Sequence, residues 1–127
     1  MRINKYRGRR NYDKKWIYGS LLIDRNGDFH ILESNIIEKD GHHIRIDSDY
    51  PMFFENDTIG QFTGLHDKNG VEIYENDKVF DGKYHGIIEY RECSFVINWE
   101  IDCSHDDDLN YWNDKIEVIG NIHERSD

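Results

Sequence analysis

The residues best suited to chemistry in this sequence form an acidic run near the C-terminus, where His105 is followed by Asp106, Asp107 and Asp108. Hard cations such as Ca²⁺ and Mg²⁺ bind to clustered carboxylate oxygens, so this run could form a metal site in a metal-dependent enzyme. In a chain of net charge −10, a solvated acidic loop over 102–110 is the commoner structure. We therefore expect no bound cofactor, and we keep the metal-dependent enzyme as a minor hypothesis.

Other residue types that perform catalysis lack the spacing that catalysis needs. His42 and His43 are adjacent, and neighbouring side chains on a strand point to opposite faces, so these two cannot chelate one ion together. The sequence has no Gly-x-Ser-x-Gly motif and no glycine-rich phosphate loop. Neither Cys93 nor Cys103 lies in a catalytic signature, and we interpret Cys93 as a small strand residue. The pattern favours a protein that is not an enzyme.

Charge is distributed unevenly along the chain. Acidic residues dominate the C-terminal half, whose electric field repels phosphate backbones and makes nucleic-acid binding unfavourable there. The N-terminal arm, residues 1–14, is basic, and a further lysine follows it; the cationic residues are Arg2, Lys5, Arg7, Arg9, Arg10, Lys14 and Lys15. The sequence leaves three roles open for this arm: a solvated end, a nucleic-acid contact, or a contact to the protein's own acidic body.

The composition predicts the elements that must position these residues. Alanine, the best helix former, is absent, and 13% of the residues are aromatic. Short apolar runs end at turns that contain Asx and Gly. The predicted fold class is mainly β, with an N-terminal β-hairpin region and a small barrel-like (SH3-like) C-terminal part. Residues 15–127 are predicted to form one β domain, in which 15–57 and 58–127 are candidate subdomains.

Aromatic residues outnumber the places that a small core offers. The sequence holds eight Tyr, six Phe and three Trp, and core packing is the default use of such side chains. Those left over predict an interface with another subunit or a partner. The candidates are Trp16, Tyr18, Phe53, Phe54, Trp99 and Trp112.

Residues 61–79 contain the most specific pattern in the chain. The letters TGL-DKNG-EIYE-D-V correspond here to 63–65, 67–70, 72–75, Asp77 and Val79. Further along, residues 117–122 read EVIGNI, and near the N-terminus residues 16–21 read WIYGSL. In these segments the sequence resembles the YopX family of phage and prophage proteins, whereas 81–113 match in outline only.

The resemblance implies a mostly β, phage-associated protein that self-associates and has no assigned activity, so no catalytic residues are implied. The family commonly has Gly at the position of Asn76, and Asn tolerates the left-handed backbone, so we expect the turn there to persist. The motif positions of this chain are Thr63, Gly64, Leu65, Asp67, Asn69, Gly70, Ile73, Tyr74, Asp77, Gly120 and Asn121.

The motif also has a direct physical interpretation as a set of folding signals. Asn69 and Gly70 can take the positive φ values of a tight hairpin turn. After that turn, the alternation of a half-buried strand places Val71 and Ile73 towards the core and Tyr74 on the opposite face. We also expect 63–65 to bend the chain before the hairpin, with the leucine pointing inward.

The leading hypothesis is a non-enzymatic phage or prophage accessory protein that self-associates and acts by binding, with a host or phage protein as a further partner. No run reaches the roughly 18 apolar residues of a membrane helix and no signal peptide follows the basic start, so we expect a cytoplasmic protein with reduced thiols and no membrane contact. The alternative is regulation related to nucleic acid, through an acidic surface that mimics DNA or through direct contact by the basic arm.

Overall fold

Strands make up more than half of the chain that the computed structural model describes, namely residues 5–32, 54–100 and 106–124. The strands are β1 (Tyr6–Arg9), β2 (Trp16–Ile23), β3 (Phe29–Leu32), β4 (Gly60–His66), β5 (Glu72–Tyr74), β6 (Asp77–Phe80), β7 (His85–Arg91), β8 (Ser94–Trp99), β9 (Asp106–Asp108) and β10 (Glu117–Asn121). The helical elements of these segments are one α-helical turn, α1 (Leu109–Trp112), and two 3-10 turns, Asn56–Thr58 and Asn113–Lys115. The prediction of a mainly β fold is confirmed.

The strands form two antiparallel five-stranded sheets. The first has the order β3-β2-β1-β4-β5, and the second has the order β10-β6-β7-β8-β9. A barrel-like arrangement was expected over 58–127. The pairings of the described residues instead give an open second sheet, with β10 and β9 at the two ends of its order.

The chain divides into two compact units, residues 1–61 and 62–127. This division falls inside β4, whereas the sequence placed a candidate boundary between 57 and 58. Within the described part of unit 1, the core cluster consists of Ile17, Ile31 and Phe54. The partly buried side chains of Leu21 and Ile59 pack against these three, so the unit 1 sheet buries one face against the segment that precedes β4.

Of the residues that the structure describes, those of unit 2 form the larger core. Ile88 on β7 and Ile97 on β8 are cross-strand partners that point to the same face and are fully buried. Complete burial of one such side chain stabilises the fold by roughly 1.5–3 kcal/mol. Helix α1 begins where the Asp108 carboxylate accepts a hydrogen bond from the Asn110 amide (3.1 Å), which directs Leu109 into this core. The buried residues are Ile73, Val79, Ile88, Ile97, Trp99, Leu109 and Ile116.

Two hairpin turns, 24–27 between β2 and β3 and 67–70 between β4 and β5, have the same construction. In each, the Gly amide donates to the Asp carbonyl at 3.0 Å, and the first Asp oxygen accepts from the Asn amide at 2.8 Å. Gly27 and Gly70 have φ of +85° and +81°. These are type I turns followed by a left-handed glycine, so the prediction of a positive φ for Asn69 is wrong.

The β7–β8 turn contains backbone strain. Arg91 pairs with Ser94, and the two residues between them, Glu92 and Cys93, have φ of +50° and +66°. Such a two-residue turn normally contains Asn-Gly, because the left-handed region costs other residues roughly 1–2 kcal/mol each. The interpretation of Cys93 as a strand residue is therefore wrong. It is an exposed, free thiol in the turn.

Replacing Glu92 and Cys93 by Asn and Gly should relieve this strain. We expect the double variant to raise the free energy of unfolding by about 1–2 kcal/mol, because both side chains are exposed and little packing is lost. Urea denaturation should show a higher midpoint with an unchanged slope. Cys93→Ser, which keeps the left-handed side chain, is the control, and a double variant no more stable than this control would contradict the prediction.

Candidate interaction surface

Asp67, at the start of the 67–70 turn, connects the two motif segments. Its side chain is buried, with 6% of the residue surface exposed. Oδ1 accepts hydrogen bonds from the Asn69 and Val71 amides at 2.8 and 2.9 Å, and Oδ2 accepts one from the Val118 amide at 2.8 Å. One carboxylate therefore joins a turn near the middle of the chain to β10 near its end.

This contact also covers the outer edge of β10. That strand pairs with β6 on one side. On the other side, the Val118 amide donates to Asp67, and the Ile116 carbonyl accepts a hydrogen bond from the Lys68 amide at 3.0 Å. An uncovered edge strand offers backbone groups to other chains and promotes edge-to-edge pairing. The turn therefore stabilises unit 2 and protects the end of its sheet.

The motif residues before the turn bend β4, as predicted. Gly64 has φ of +86°, and the register of β4 against β5 shifts across it. The Thr63 hydroxyl donates to the Ile73 carbonyl at 2.8 Å and accepts from the Leu65 amide at 3.2 Å, which holds the bend. Leu65 packs against the unit 2 core.

The alternation predicted after the turn is only partly correct. Ile73 is fully buried, but Val71 is 48% exposed because it lies between the 67–70 turn and β5, which begins one residue later. Tyr74 was predicted on the opposite face, yet it too is buried, with its ring centroid 5.4 Å from that of Phe62. This short strand is therefore buried at two consecutive positions, which a half-buried pattern does not predict.

A second motif turn joins β5 to β6. Asn76 has φ of +72°, so the expectation that Asn can hold this left-handed turn is confirmed. Its amide donates to the Ile88 carbonyl at 2.8 Å, and its carbonyl accepts from the Ile122 amide at 3.0 Å. Asp77 is buried, and its Oδ2 accepts from the Tyr74 amide at 2.7 Å.

The final motif residues end β10. Gly120 follows an irregularity in the pairing with β6, after which Asn121 pairs with Asp77. Asn121 is buried, and its Oδ1 accepts a hydrogen bond from the His123 amide at 2.9 Å. The polar motif side chains whose bonds are described here thus act within the fold, and the motif describes architecture.

The three consecutive aspartates that suggested a cation site bind donors from three different elements. Asp106 accepts from the Arg91 guanidinium at 2.7 Å, and Asp107 accepts from the Trp99 indole at 2.7 Å. Asp108 caps α1. They form an edge strand, β9, where a loop was predicted, and His105 lies outside the described residues. Among the residues that the structure describes, no group of three or more His, Cys, Asp or Glu side chains is arranged to hold a metal ion.

The basic N-terminal segment is a folded hairpin from residue 5 onward. In the pairing of β1 with β2, Arg9 lies opposite Trp16 and Arg7 lies opposite Tyr18. The guanidinium carbons of Arg7 and Arg9 lie 5.1 and 5.9 Å from the centre of the Trp16 ring. These distances allow cation–π attraction, so the arginines and the aromatic rings order each other.

Several cations of this hairpin pair with acidic residues of unit 1. The Arg9 guanidinium donates to one oxygen of Glu55 at 2.9 and 2.6 Å, and the Lys14 ammonium binds the other oxygen. Arg10 Nε donates to Asp13 at 2.9 Å. Of the three roles left open for the arm, contact with the protein's own acidic residues is the one observed. Deleting 1–14 would therefore remove a strand of unit 1.

These ion pairs make the stability of unit 1 depend on pH. The hydrogen bond from Arg10 lowers the pKa of Asp13 from its ordinary 3.8 to about 2. The pKa of Asp24 is lowered by its hydrogen bond with His30, and the pKa of Glu55 by its bonds from Lys14 and Arg9. A carboxyl whose folded pKa is depressed stabilises the fold above its unfolded pKa, and this contribution disappears as the pH falls through the folded value.

We therefore expect Asp13→Asn to be less stable than the unaltered protein at neutral pH. The difference should narrow as the pH falls below about 4 and should vanish only below about pH 2, where the carboxyl is protonated in the folded protein as well and no longer pairs with Arg10. Urea midpoints measured for both proteins over this range test the prediction. A difference that stays constant with pH would show that the charge of Asp13 contributes nothing.

The predicted interface aromatics occupy different environments. Phe54 and Trp99 are core residues, with 8% and 5% of their surfaces exposed. Trp16 and Trp112 are half-buried, and Tyr18 is 45% exposed. The remaining candidate, Phe53, lies outside the described residues.

Three tyrosines outside that candidate set are also exposed: Tyr12 at 58%, Tyr90 at 52% and Tyr111 at 64%. The polar residues on both sides of Tyr12 were a usable signal, because such flanks are typical of a turn. Tyr12 and Tyr18 lie on the same hairpin as the cations. We call the set Tyr12, Lys14, Lys15, Trp16 and Tyr18 the hairpin surface; it offers positive charge beside aromatic area and suits binding of an acidic group.

α1 is a single turn, and no helix in the described segments is long and apolar enough to cross a membrane.

Comparison with known proteins supplies the remaining information. A search of curated proteins finds no match. The family model described as YopX protein matches residues 5–127, nearly the whole chain. The chain therefore belongs to the YopX protein family.

Proposed function

We propose that this protein is a cytoplasmic phage or prophage accessory protein, not an enzyme, that self-associates and acts by binding. The observation that supports it most is the exposure of aromatic side chains beside charged ones on unit 1, where Tyr12 and Tyr18 flank Lys14 and Lys15. Tyrosine provides a large contact area at a low entropic cost and is enriched in protein interfaces. The binding partner is a second copy of the chain or a host or phage protein.

The environments of the buried and half-buried carboxylates support the same proposal. Asp67 and Asp77 accept hydrogen bonds from backbone amides, and Asp107 accepts one from Trp99. A general acid or base must reach a substrate proton, and these groups are bound to the fold instead. A metal-dependent enzyme is therefore the weakest of the three functions considered.

Regulation related to nucleic acid is the second candidate. Residues 62–127 contain sixteen acidic and six basic residues, so the whole net charge of −10 falls on unit 2 and unit 1 is balanced. This division favours DNA mimicry by unit 2 over direct contact by the hairpin, because several hairpin cations are already paired with Glu55 and Asp13.

Size-exclusion chromatography with light scattering, at micromolar concentration, tests the proposal. We expect a stable multimer. A monomer at every concentration would contradict self-association. A turnover activity that one polar substitution abolishes would contradict the non-enzymatic role.

A further inference from the structure

We propose that Asn26 is a site of spontaneous modification in the folded protein, where it loses its side-chain amide by deamidation, and that the fold protects Asn69 from the same reaction. The sequence contains two Asn-Gly pairs, 26–27 and 69–70, and asparagine is a thermolabile residue. A following glycine hinders the reaction least, because it has no side chain. The inference does not depend on the proposed function.

The reaction needs water as its only co-reactant. The backbone nitrogen of Gly27 attacks Cγ of Asn26 and gives up its proton to water, and the new C–N bond closes a succinimide ring. The bond between Cγ and Nδ2 breaks, and the amide nitrogen takes up a proton and leaves as ammonia. Water then opens the ring at either carbonyl carbon, which produces aspartate or isoaspartate.

The two Asn-Gly turns offer the same local chemistry. Both asparagines and both glycines are exposed, and in each turn the Gly amide donates to the Asp carbonyl at 3.0 Å. At a ψ of about 0°, which the third residue of a type I turn adopts, the Gly nitrogen is turned away from the Asn side chain. Ring closure therefore requires rotation about the Cα–C bond of Asn, so each turn must open before it can react.

The residue before each asparagine differs in how its backbone is held. The Lys68 amide donates to the Ile116 carbonyl of the segment that leads into β10, at 3.0 Å. The equivalent amide, that of Arg25, makes no hydrogen bond within the part of the chain that the structure describes. Because the flanking strands fix both ends of a turn, rotation at Asn must be compensated at this preceding residue. The compensation is possible at 25 and is opposed at 68.

The aspartates that start the turns differ in the same direction. Asp67 is buried, and its Oδ2 accepts from the Val118 amide at 2.8 Å. The Asp24 side chain is 30% exposed, and its Oδ2 contacts His30 in the same hairpin. The 67–70 turn is thus attached to a third strand by two hydrogen bonds to its backbone. Two bonds of ordinary strength change an opening equilibrium by about tenfold or more.

Modification at Asn26 would change the turn in which it occurs. The Asn26 and Asp28 amides both donate to Asp24 Oδ1, at 2.8 and 3.0 Å, so a carboxylate at 26 would lie among two others of the same charge. In isoaspartate the backbone runs through the former side chain, which lengthens the turn. A longer turn no longer matches the register of β2 and β3.

The test follows both sites in the unaltered, full-length protein. The protein is incubated at neutral pH and physiological temperature, and peptide mass spectrometry measures the exchange of NH₂ for OH at each asparagine over time. A second sample is incubated in urea above the unfolding midpoint, and circular dichroism establishes which samples are folded. The unfolded chain gives the rates that the flanking residues set by themselves.

We expect Asn26 to react about tenfold faster than Asn69 in the folded protein, and the two rates to converge in urea. Equal rates in the folded protein, or a faster reaction at Asn69, would overturn the inference. A ratio that persists in urea would overturn it as well, because the flanking residues would then account for the difference.

Two matched variants test the attachment to β10. Asp67→Asn replaces the acceptor of the Val118 amide and should raise the rate at Asn69 about tenfold, whereas Asp24→Asn should change the rate at Asn26 by less than about threefold. Each rate is measured under conditions in which circular dichroism shows the variant to be folded. An unchanged rate at Asn69 in folded Asp67→Asn would contradict protection by β10 and overturn the inference.

Discussion

Asp67→Asn is expected to lower the free energy of unfolding by about 2–3 kcal/mol, whereas Asp24→Asn should lower it by less than about 1 kcal/mol. The two aspartates start turns of the same construction, so the substitutions are matched in local chemistry. They differ in what the second carboxylate oxygen binds. Asp67 Oδ2 accepts from the Val118 amide, whereas Asp24 Oδ2 contacts His30 Nε2, each at 2.8 Å.

The difference in the expected loss of stability follows from the side-chain amide that Asn introduces. Its oxygen can still accept the two turn amides at either site. At position 67, the NH₂ group of Asn then faces the Val118 amide. Both groups are donors and cannot bond to each other, so the buried Val118 amide is left without an acceptor, which costs about 1–3 kcal/mol. At position 24, His30 can change tautomer and accept from the NH₂, and water reaches the 30% exposed side chain.

Urea denaturation of both variants at pH 7 tests this prediction. Because loss of the Asp67 contact also uncovers the edge of β10, Asp67→Asn should in addition form aggregates on prolonged incubation, detectable by light scattering. Equal destabilisation by the two substitutions would mean that the turn alone is important and that the bond to β10 contributes nothing.

Gly86→Ala is expected to lower the free energy of unfolding by about 1–3 kcal/mol, although alanine usually stabilises a strand relative to glycine. A Cβ at position 86 would lie 2.5 Å from Ile97 Cγ2 and 3.1 Å from Trp99 Cε3. Both neighbours are buried in the unit 2 core, so neither can move away without disturbing other packing.

A double-mutant cycle separates this overlap from other effects of the substitution. Ile97→Ala removes the Cγ2 atom and should cost about 2–5 kcal/mol alone, because it leaves a cavity. The double variant should cost less than the two single effects together by about 1 kcal/mol or more, since the added methyl group occupies part of that cavity. Purely additive effects would show that the overlap is relieved in some other way.

Local turn chemistry was largely readable from the sequence. The mainly β class, the hairpin at 67–70 and the left-handed turn at Asn76 all depend on residues close together in the chain, whose backbone preferences act within three or four positions. The errors in the predicted turns came from choosing among turn types. Asn69 has no positive φ, and Val71 is an exposed residue ahead of β5 where a core-facing strand residue was predicted.

The acidic run and the basic arm could not be resolved in this way. Asp106, Asp107 and Asp108 are consecutive, yet the donors they bind come from β7, β8 and α1. The basic arm likewise pairs with Glu55, 46 positions from Arg9. A run of like charges in a sequence is consistent with solvation, with ion binding and with internal pairing. These three cases differ only in which groups lie next to the charged side chains in the folded protein.

The sequence by itself determined the secondary-structure class, most of the turns and the family, because these depend on composition and on patterns of neighbouring residues. Only the tertiary structure decided what each charged side chain does. The Asp67 carboxylate meets the Val118 amide across 51 positions of the chain. Such a bond forms only after unit 2 has folded, and the same carboxylate in an unfolded chain would be a solvated charge, so no local pattern specifies it.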